Sequence, residues 1–377
     1  MVSMRGMTVP LLCFCLPALG AGAKEFRFED GAGYSDLYYG DAPVYRHVTP
    51  VFNPLKHGDT FKVFHHVYGF HGEGFLTKGV GGEFTHHRGL FLGWSKTTTA
   101  GKEMDSWHGG AGSSIRHAKY LGQAEIGPAR ARRISVSEWT EKDGTVLVRD
   151  TRDVTAWFAE EGRLYLDWSL TIESASGDSV VLDGDPQHAG FQFRADTTIT
   201  AFEYFGPADK TGTGDVWTMK NTNSWAVNSF AAQGHKYAVM QMDHPSNPRP
   251  VVVSHRDYGR FGHFFTATVP KDKPVTFHFR TLVLDVDKHG APTQGAAQAL
   301  YDGYAASKPG ETNAIKGGLR GFGAGRGPGP GRLLVSGSRT EWTSGLPGLE
   351  AFGPLGRRAS PGSHLAPGAL ILRESAR

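Results

Sequence analysis

The chain has 377 residues, with 40 Lys and Arg, 37 Asp and Glu, 51 Gly and two Cys. That length is ample for a large apolar core. The net charge of +3 is unevenly spread: residues 307–377 carry +6 and Arg5 one more, which leaves about −4 for residues 24–306 and no electrostatic case there for nucleic acid.

Residues 1–23 read as a secretory signal: Arg5 is the positive start, Val9 to Leu19 the apolar run, and Ala21-Gly22-Ala23 the cleavage site. The expected location is periplasmic or secreted. Cleavage would remove Cys13 and Cys15, which excludes disulfides, zinc-thiolate sites and a Cys nucleophile from the mature chain. No later apolar stretch approaches the roughly 20 residues of a membrane span.

Residues 24–306 read as a single all-β domain, a large antiparallel β-sandwich with long loops. Leu164, Leu166, Trp168, Leu170 and Ile172 alternate with polar neighbours, the period of a half-buried strand. Gly177-Asp178 predicts a turn, and Ser179 to Leu182 the start of the next strand. Similar runs occupy 145–148, 191–194, 237–242, 251–254, 261–268 and 275–286. No βαβ alternation and no phosphate-binding glycine loop occurs. Thr293 to Ala306 is Ala-rich behind a capping Thr and predicts one short C-terminal helix. From residue 307 onward, 23 of 71 residues are Gly or Pro, which predicts a disordered tail to residue 377.

Three polar stretches carry the candidate chemistry. In the first, His86-His87-Arg88-Gly89, strand alternation would put His86 and Arg88 on one face and leave His87 on the other, where it is as readily a core residue. The second, Asp183 to Gly190, sets Asp183 and Asp185 near His188. A carboxylate there fixes the imidazole tautomer, although Asx turns are an equal use of those Asp residues. The third, Asp243-His244-Pro245-Ser246-Asn247-Pro248-Arg249-Pro250, is stiffened by proline. The loop from Lys102 to Gly110 adds Asp105, Trp107 and His108. Trp94 and Trp107 suit the apolar faces of sugar rings, though core packing is the usual fate of any single Trp. His65 and His66 read as structural. No G-x-S-x-G elbow is present, which argues against a serine hydrolase. No H-E-x-x-H motif is present either; no cofactor is predicted, and a histidine-bound metal ion stays open.

The order of His86-His87-Arg88-Gly89-Leu90, His188-Ala189-Gly190-Phe191-Gln192-Phe193-Arg194, Asp243 to Arg249 and His278-Phe279-Arg280 resembles the PmoA-type family, a group of secreted bacterial proteins often labelled methane oxygenase PmoA. The resemblance spans Tyr45 to Ala306. It implies a β-sandwich of the kind found among glycan-degradation genes, and it marks His86, His87, Arg88, His188, Arg194, Asp243, His244, Asn247 and Arg249 as motif positions.

The resulting expectation is an exported glycan-processing hydrolase or lyase with a His/Arg-rich cleft for a saccharide or other small polar substrate. His86, Arg88, His188 and His244 are the candidate catalytic residues. The histidines would move protons, and Arg88 and Arg249 would hold an anionic group. His87, Trp94, Asp105, Trp107, Arg194, Asp243, Asn247 and Arg249 are the candidate substrate contacts. A non-catalytic carbohydrate-binding protein is the second expectation. A metal-dependent oxidoreductase, following the family label, is the third.

Overall fold

A computed structural model of the chain describes residues 24–312, except Asn221, together with the backbone of short strands between 340 and 374. The predicted signal and most of the predicted tail lie outside the described residues. The second unit, Gly323–Arg377, contributes short antiparallel pairings such as Leu349–Phe352 with Ile371–Glu374.

The first unit is all-β, as the alternating runs predict. A nine-stranded antiparallel sheet runs in the spatial order 26–31, 34–39, 42–48, 64–67, 90–94, 189–194, 260–264, 252–256, 216–218. An eight-stranded sheet runs 202–205, 225–232, 235–243, 275–285, 163–174, 146–160, 130–140, 114–126. A four-stranded sheet joins 267–269, 180–183, 96–99 and 102–104. The two large sheets are layered through their apolar faces. Phe191 of one stacks on Phe279 of the other at 4.8 Å, and Trp168 meets Phe191 at 5.1 Å.

The alternation that predicts Arg163–Ser174 also explains its packing. Leu164, Leu166, Trp168, Leu170 and Ile172 enter the core between the sheets, while Asp167 and Ser169 face away. The predicted helix is Gln294–Ala305, capped by the Thr293 hydroxyl, which accepts from the Ala296 N–H at 3.2 Å. Its buried Ala297, Leu300, Tyr301 and Tyr304 recur at helical spacing. They cover Trp157, Tyr165 and Leu282 on the outer face of the eight-stranded sheet.

The strand Leu90–Trp94 positions the site. Leu90, Leu92 and Trp94 point into the core, and Phe91 points outward against Trp107. The segment before it is not a strand, so the expected alternation through His86 to Arg88 fails. Gly89 is the reason: its φ of +51° breaks the extended chain, and a Cβ there would lie 2.1 Å from the His65 carbonyl oxygen. Gly190 lies inside the neighbouring strand 189–194 and is as closely approached, with φ +89° and a Cβ position 2.0 Å from the His263 carbonyl oxygen. Backbone lies where a side chain would be, so neither site has room for one. Gly89→Ala is expected to cost more than about 2 kcal/mol. An unchanged thermal midpoint for that variant would contradict this.

Candidate functional site

Two loops lie across the outer face of Leu90–Trp94 and meet a third. Residues 84–88 bring His86, the turn 105–109 brings His108, and the turn 185–188 brings His188. The ring centroids of His86 and His108 are 4.5 Å apart, His108 and His188 5.0 Å, and His86 and His188 6.4 Å. His108 is exposed and the other two half-buried, so the centre opens to solvent. Trp107 and His87 form its buried floor, with Trp107 5.9 Å from His87 and 6.4 Å from His188.

Two of the three rings are set by the same local device. In Asp105-Ser106-Trp107-His108 one carboxylate oxygen accepts from the Trp107 and His108 N–H groups at 3.0 and 2.8 Å, and the other meets His108 Nδ1 at 2.8 Å. In Asp185-Pro186-Gln187-His188 the carboxylate accepts from the Gln187 N–H at 2.8 Å and meets His188 Nδ1 at 2.9 Å. A carboxylate on Nδ1 keeps the proton there and leaves the Nε2 lone pair facing outward. Among the described residues no hydrogen bond occupies either Nε2, or either ring nitrogen of His86. Burial pushes Asp105 and Asp185 upward, but the hydrogen bonds led by His108 and His188 outweigh it and hold both carboxyls below their ordinary value. His86 is brought down to about 3 by burial first and then by its neighbours His108, Lys62 and His188. It is therefore neutral at pH 7.

The loops are tied down by two buried lysines. Lys62 Nζ donates to the His86 carbonyl at 3.2 Å and the Trp107 carbonyl at 2.5 Å, which joins the first two loops. Lys78 Nζ donates to the carbonyls of Gly81 at 2.5 Å and His87 at 3.3 Å. On the other side stands an aromatic platform. Phe84 is 38 % exposed at φ +53° and stacks on Tyr258 at 4.9 Å. Tyr258 in turn lies under the Arg194 guanidinium at 4.9 Å. An exposed Phe held in left-handed backbone is costly in stability, and such outliers cluster at ligand sites.

Of the predicted residues, His86, His87, His188, Asp105 and Trp107 come together here. The rest do not. Arg88 is fully buried and turned away; it donates to the carbonyls of Thr85 at 3.0 Å, Asp59 at 3.1 Å and Gly58, and covers the Phe61 ring. Trp94 is a core residue whose Nε1 donates to the Phe265 carbonyl at 3.1 Å. Arg194 is buried against the carbonyls of Ala195 and Tyr258, so it holds the Tyr258 side of the platform and does not reach the centre.

The third motif belongs to the other sheet and serves as a staple. Asp243 accepts from Arg249 at 2.6 Å and from Asn247 at 2.8 Å, and Asn247 pairs through both side-chain ends with the His278 backbone at 2.8 Å. His244 is spent on Ser246 at 2.8 Å and the Ser307 carbonyl at 3.2 Å. Nearby His278 lines a cavity of about 400 Å³ with Arg132, Asp153, Asp167 and Ser169. Two of its carboxylates are already paired, Asp153 with Arg132 and Asp167 with Arg280.

A family model described as "Family of unknown function (DUF6807)" matches residues 34–301. The chain belongs to this family. The finding corrects the PmoA-type assignment drawn from the motif order, because the matching model is DUF6807. No curated protein matches the chain. Among solved structures, a putative kojibiose phosphorylase from human microbiome is similar at 7% identity and TM-score 0.29, over 75% of this chain and 36% of that one. The chain thus spans about a third of that protein's length. A galactose mutarotase related enzyme from Lactobacillus acidophilus is similar at 8% identity and TM-score 0.34, over 68% of this chain and 97% of that one. Among the described residues no helix is long and apolar enough to cross a membrane.

Lys62, Phe84 and Tyr258 are the site residues that sequence reading missed, while His108 and Asp185 were noted in their loops but not counted among the candidate site residues. One signal was available: Asp-x-x-His occurs at 105/108 and again at 185/188. Nothing in the sequence singles out Lys62 or Phe84.

Proposed function

We propose that this protein is an exported hydrolase of the saccharide class, working at the His86–His108–His188 centre. The observation that carries the reading is the convergence of three imidazoles, two of them fixed by their own Asp with the Nε2 lone pair outward. Such a centre draws a proton from water beside the substrate and hands it back to the leaving oxygen. The Phe84–Tyr258 platform supports a saccharide, because an exposed aromatic face suits the apolar face of a sugar ring. Among the described residues no guanidinium of the predicted set faces the centre. A lyase acting on uronates would lack its anion clamp there, which favours hydrolysis.

The test is turnover of a panel of neutral oligosaccharides by the full chain. His188→Ala is expected to lower kcat/KM by roughly 10²–10⁴ with unchanged circular dichroism, and Phe84→Ala to raise KM. Equal turnover by wild type and His188→Ala would refute the reading. So would sugar binding without turnover, the outcome for a binding protein.

A further inference from the structure

We infer that the His86–His108–His188 centre is a binding site for one divalent transition-metal ion, held by three imidazole nitrogens. With metal–nitrogen bonds of about 2.0–2.1 Å in tetrahedral array, three imidazole rings around one ion have centroids roughly 5 Å apart. The observed separations are 4.5, 5.0 and 6.4 Å, so a shift of the half-buried His86 ring toward His188 closes the triangle. The lone pair of an imidazole lies in the ring plane, so the planes must cross for three rings to aim at one point. They do: the interplanar angles are 63°, 43° and 58°.

The surroundings agree. Metal-bound histidines characteristically donate their other N–H to a carboxylate, and Asp105 and Asp185 stand in that position on His108 and His188. Three protein nitrogens leave the fourth tetrahedral position for water, facing solvent beside Phe84. An ion there would lower the pKa of that water, which is the group the proposed hydrolysis needs. Imidazole ligands suit zinc, copper, iron or nickel.

A second group, His71, His235 and Asp287, has its ligand atoms within 4.8 Å of one another, which the nitrogens of His86, His108 and His188 reach only after the His86 ring shifts. There the two rings stack face to face at 3.9 Å and 13°, so their lone pairs lie in near-parallel planes and cannot both address one ion as they stand. It serves as the control.

The inference builds on the reading of this centre as the reacting one, yet the two fail separately. The full chain is stripped with a chelator, reloaded with Co²⁺ or Zn²⁺, and read by elemental analysis and by the visible absorption of cobalt. One ion per chain is expected for wild type and for His235→Ala, and loss of that ion for His108→Ala and His188→Ala. Asp105→Asn and Asp185→Asn should stay folded and weaken Co²⁺ binding by about 10–100-fold. No stoichiometric uptake by wild type, or uptake lost only with His235→Ala, overturns the metal site. Metal uptake without saccharide turnover refutes the hydrolase reading alone. Turnover undiminished in the stripped chain, together with no stoichiometric uptake by wild type, refutes the metal site and leaves the hydrolase reading standing.

Discussion

Replacing Lys62 with alanine will destabilise the fold by about 4 kcal/mol and loosen the histidine centre with it. The Nζ atom is buried between the rings of Phe61, Phe91 and Trp107, at 5.0, 4.7 and 5.5 Å. Burial pushes its pKa well below the ordinary lysine value, and Arg88 adds to the shift against the pull of Asp105. The group persists because it is the donor joining the His86 and Trp107 carbonyls. Alanine would leave a cavity as well as two buried acceptors without their donor. Lys62→Met separates the two effects, since it keeps most of the volume and loses only the donor. It should cost about half as much, because each unsatisfied buried acceptor is worth roughly 1–3 kcal/mol. Urea midpoints at constant slope measure both. A Lys62→Met variant as stable as wild type would show that the two carbonyls do not need the lysine.

Acid is expected to unfold the chain at a higher pH than its carboxylates alone would dictate. His47, His65, His66 and His263 are buried, and desolvation pushes all four down, His66 to about 4, His263 to about 3 and the other two well below their ordinary value. His47 and His65 stack at 4.2 Å between the sheets, with His117, Tyr120, Arg133 and the Arg152–Asp150 pair as their charged and titratable surroundings. In the unfolded chain each histidine titrates near 6.5. Between about pH 6.5 and 4 the unfolded state therefore binds more protons than the folded one, and stability falls as the pH falls. Each such group contributes up to about 1.4 kcal/mol per pH unit, so four give up to about 5.6 kcal/mol per unit, comparable with a whole domain's roughly 5–15 kcal/mol. Asp243, pushed up to about 6 by burial, takes a proton in the folded state and offsets one of them. Urea midpoints at pH 7 and pH 5 test this. Equal values would show that the buried imidazoles find protonated arrangements inside the fold.

The β architecture was legible because it rests on side-chain periodicity, which residues such as Leu164 to Ile172 display directly. The helix was legible for a different reason, its Ala-rich composition behind the capping Thr293; the buried spacing of Ala297, Leu300 and Tyr304 is what the structure adds. The site was half legible. His86 and His188 stand out as polar residues beside glycine, and the structure shows them 6.4 Å apart. Arg88 misled because strand alternation was carried back past Gly89, where positive φ ends the strand. His244 and Arg249 misled because a proline-stiffened polar loop can satisfy itself, as Asp243, Asn247 and Arg249 do. Lys62 and Phe84 were invisible, since their roles depend on backbone carbonyls and a ring brought from distant parts of the chain.

The two Asp-x-x-His turns also bear on how such a centre is assembled. Each carboxylate reaches its imidazole across three residues, so closing the contact costs little chain entropy and needs no other part of the molecule. Two of the three rings are thus oriented by segments of four residues acting as cassettes. The sandwich has only to bring the cassettes side by side. Drift of one strand against another would shift a cassette bodily while its tautomer and hydrogen bonds stayed intact. Chemistry built this way is partly insulated from changes in the core that carries it.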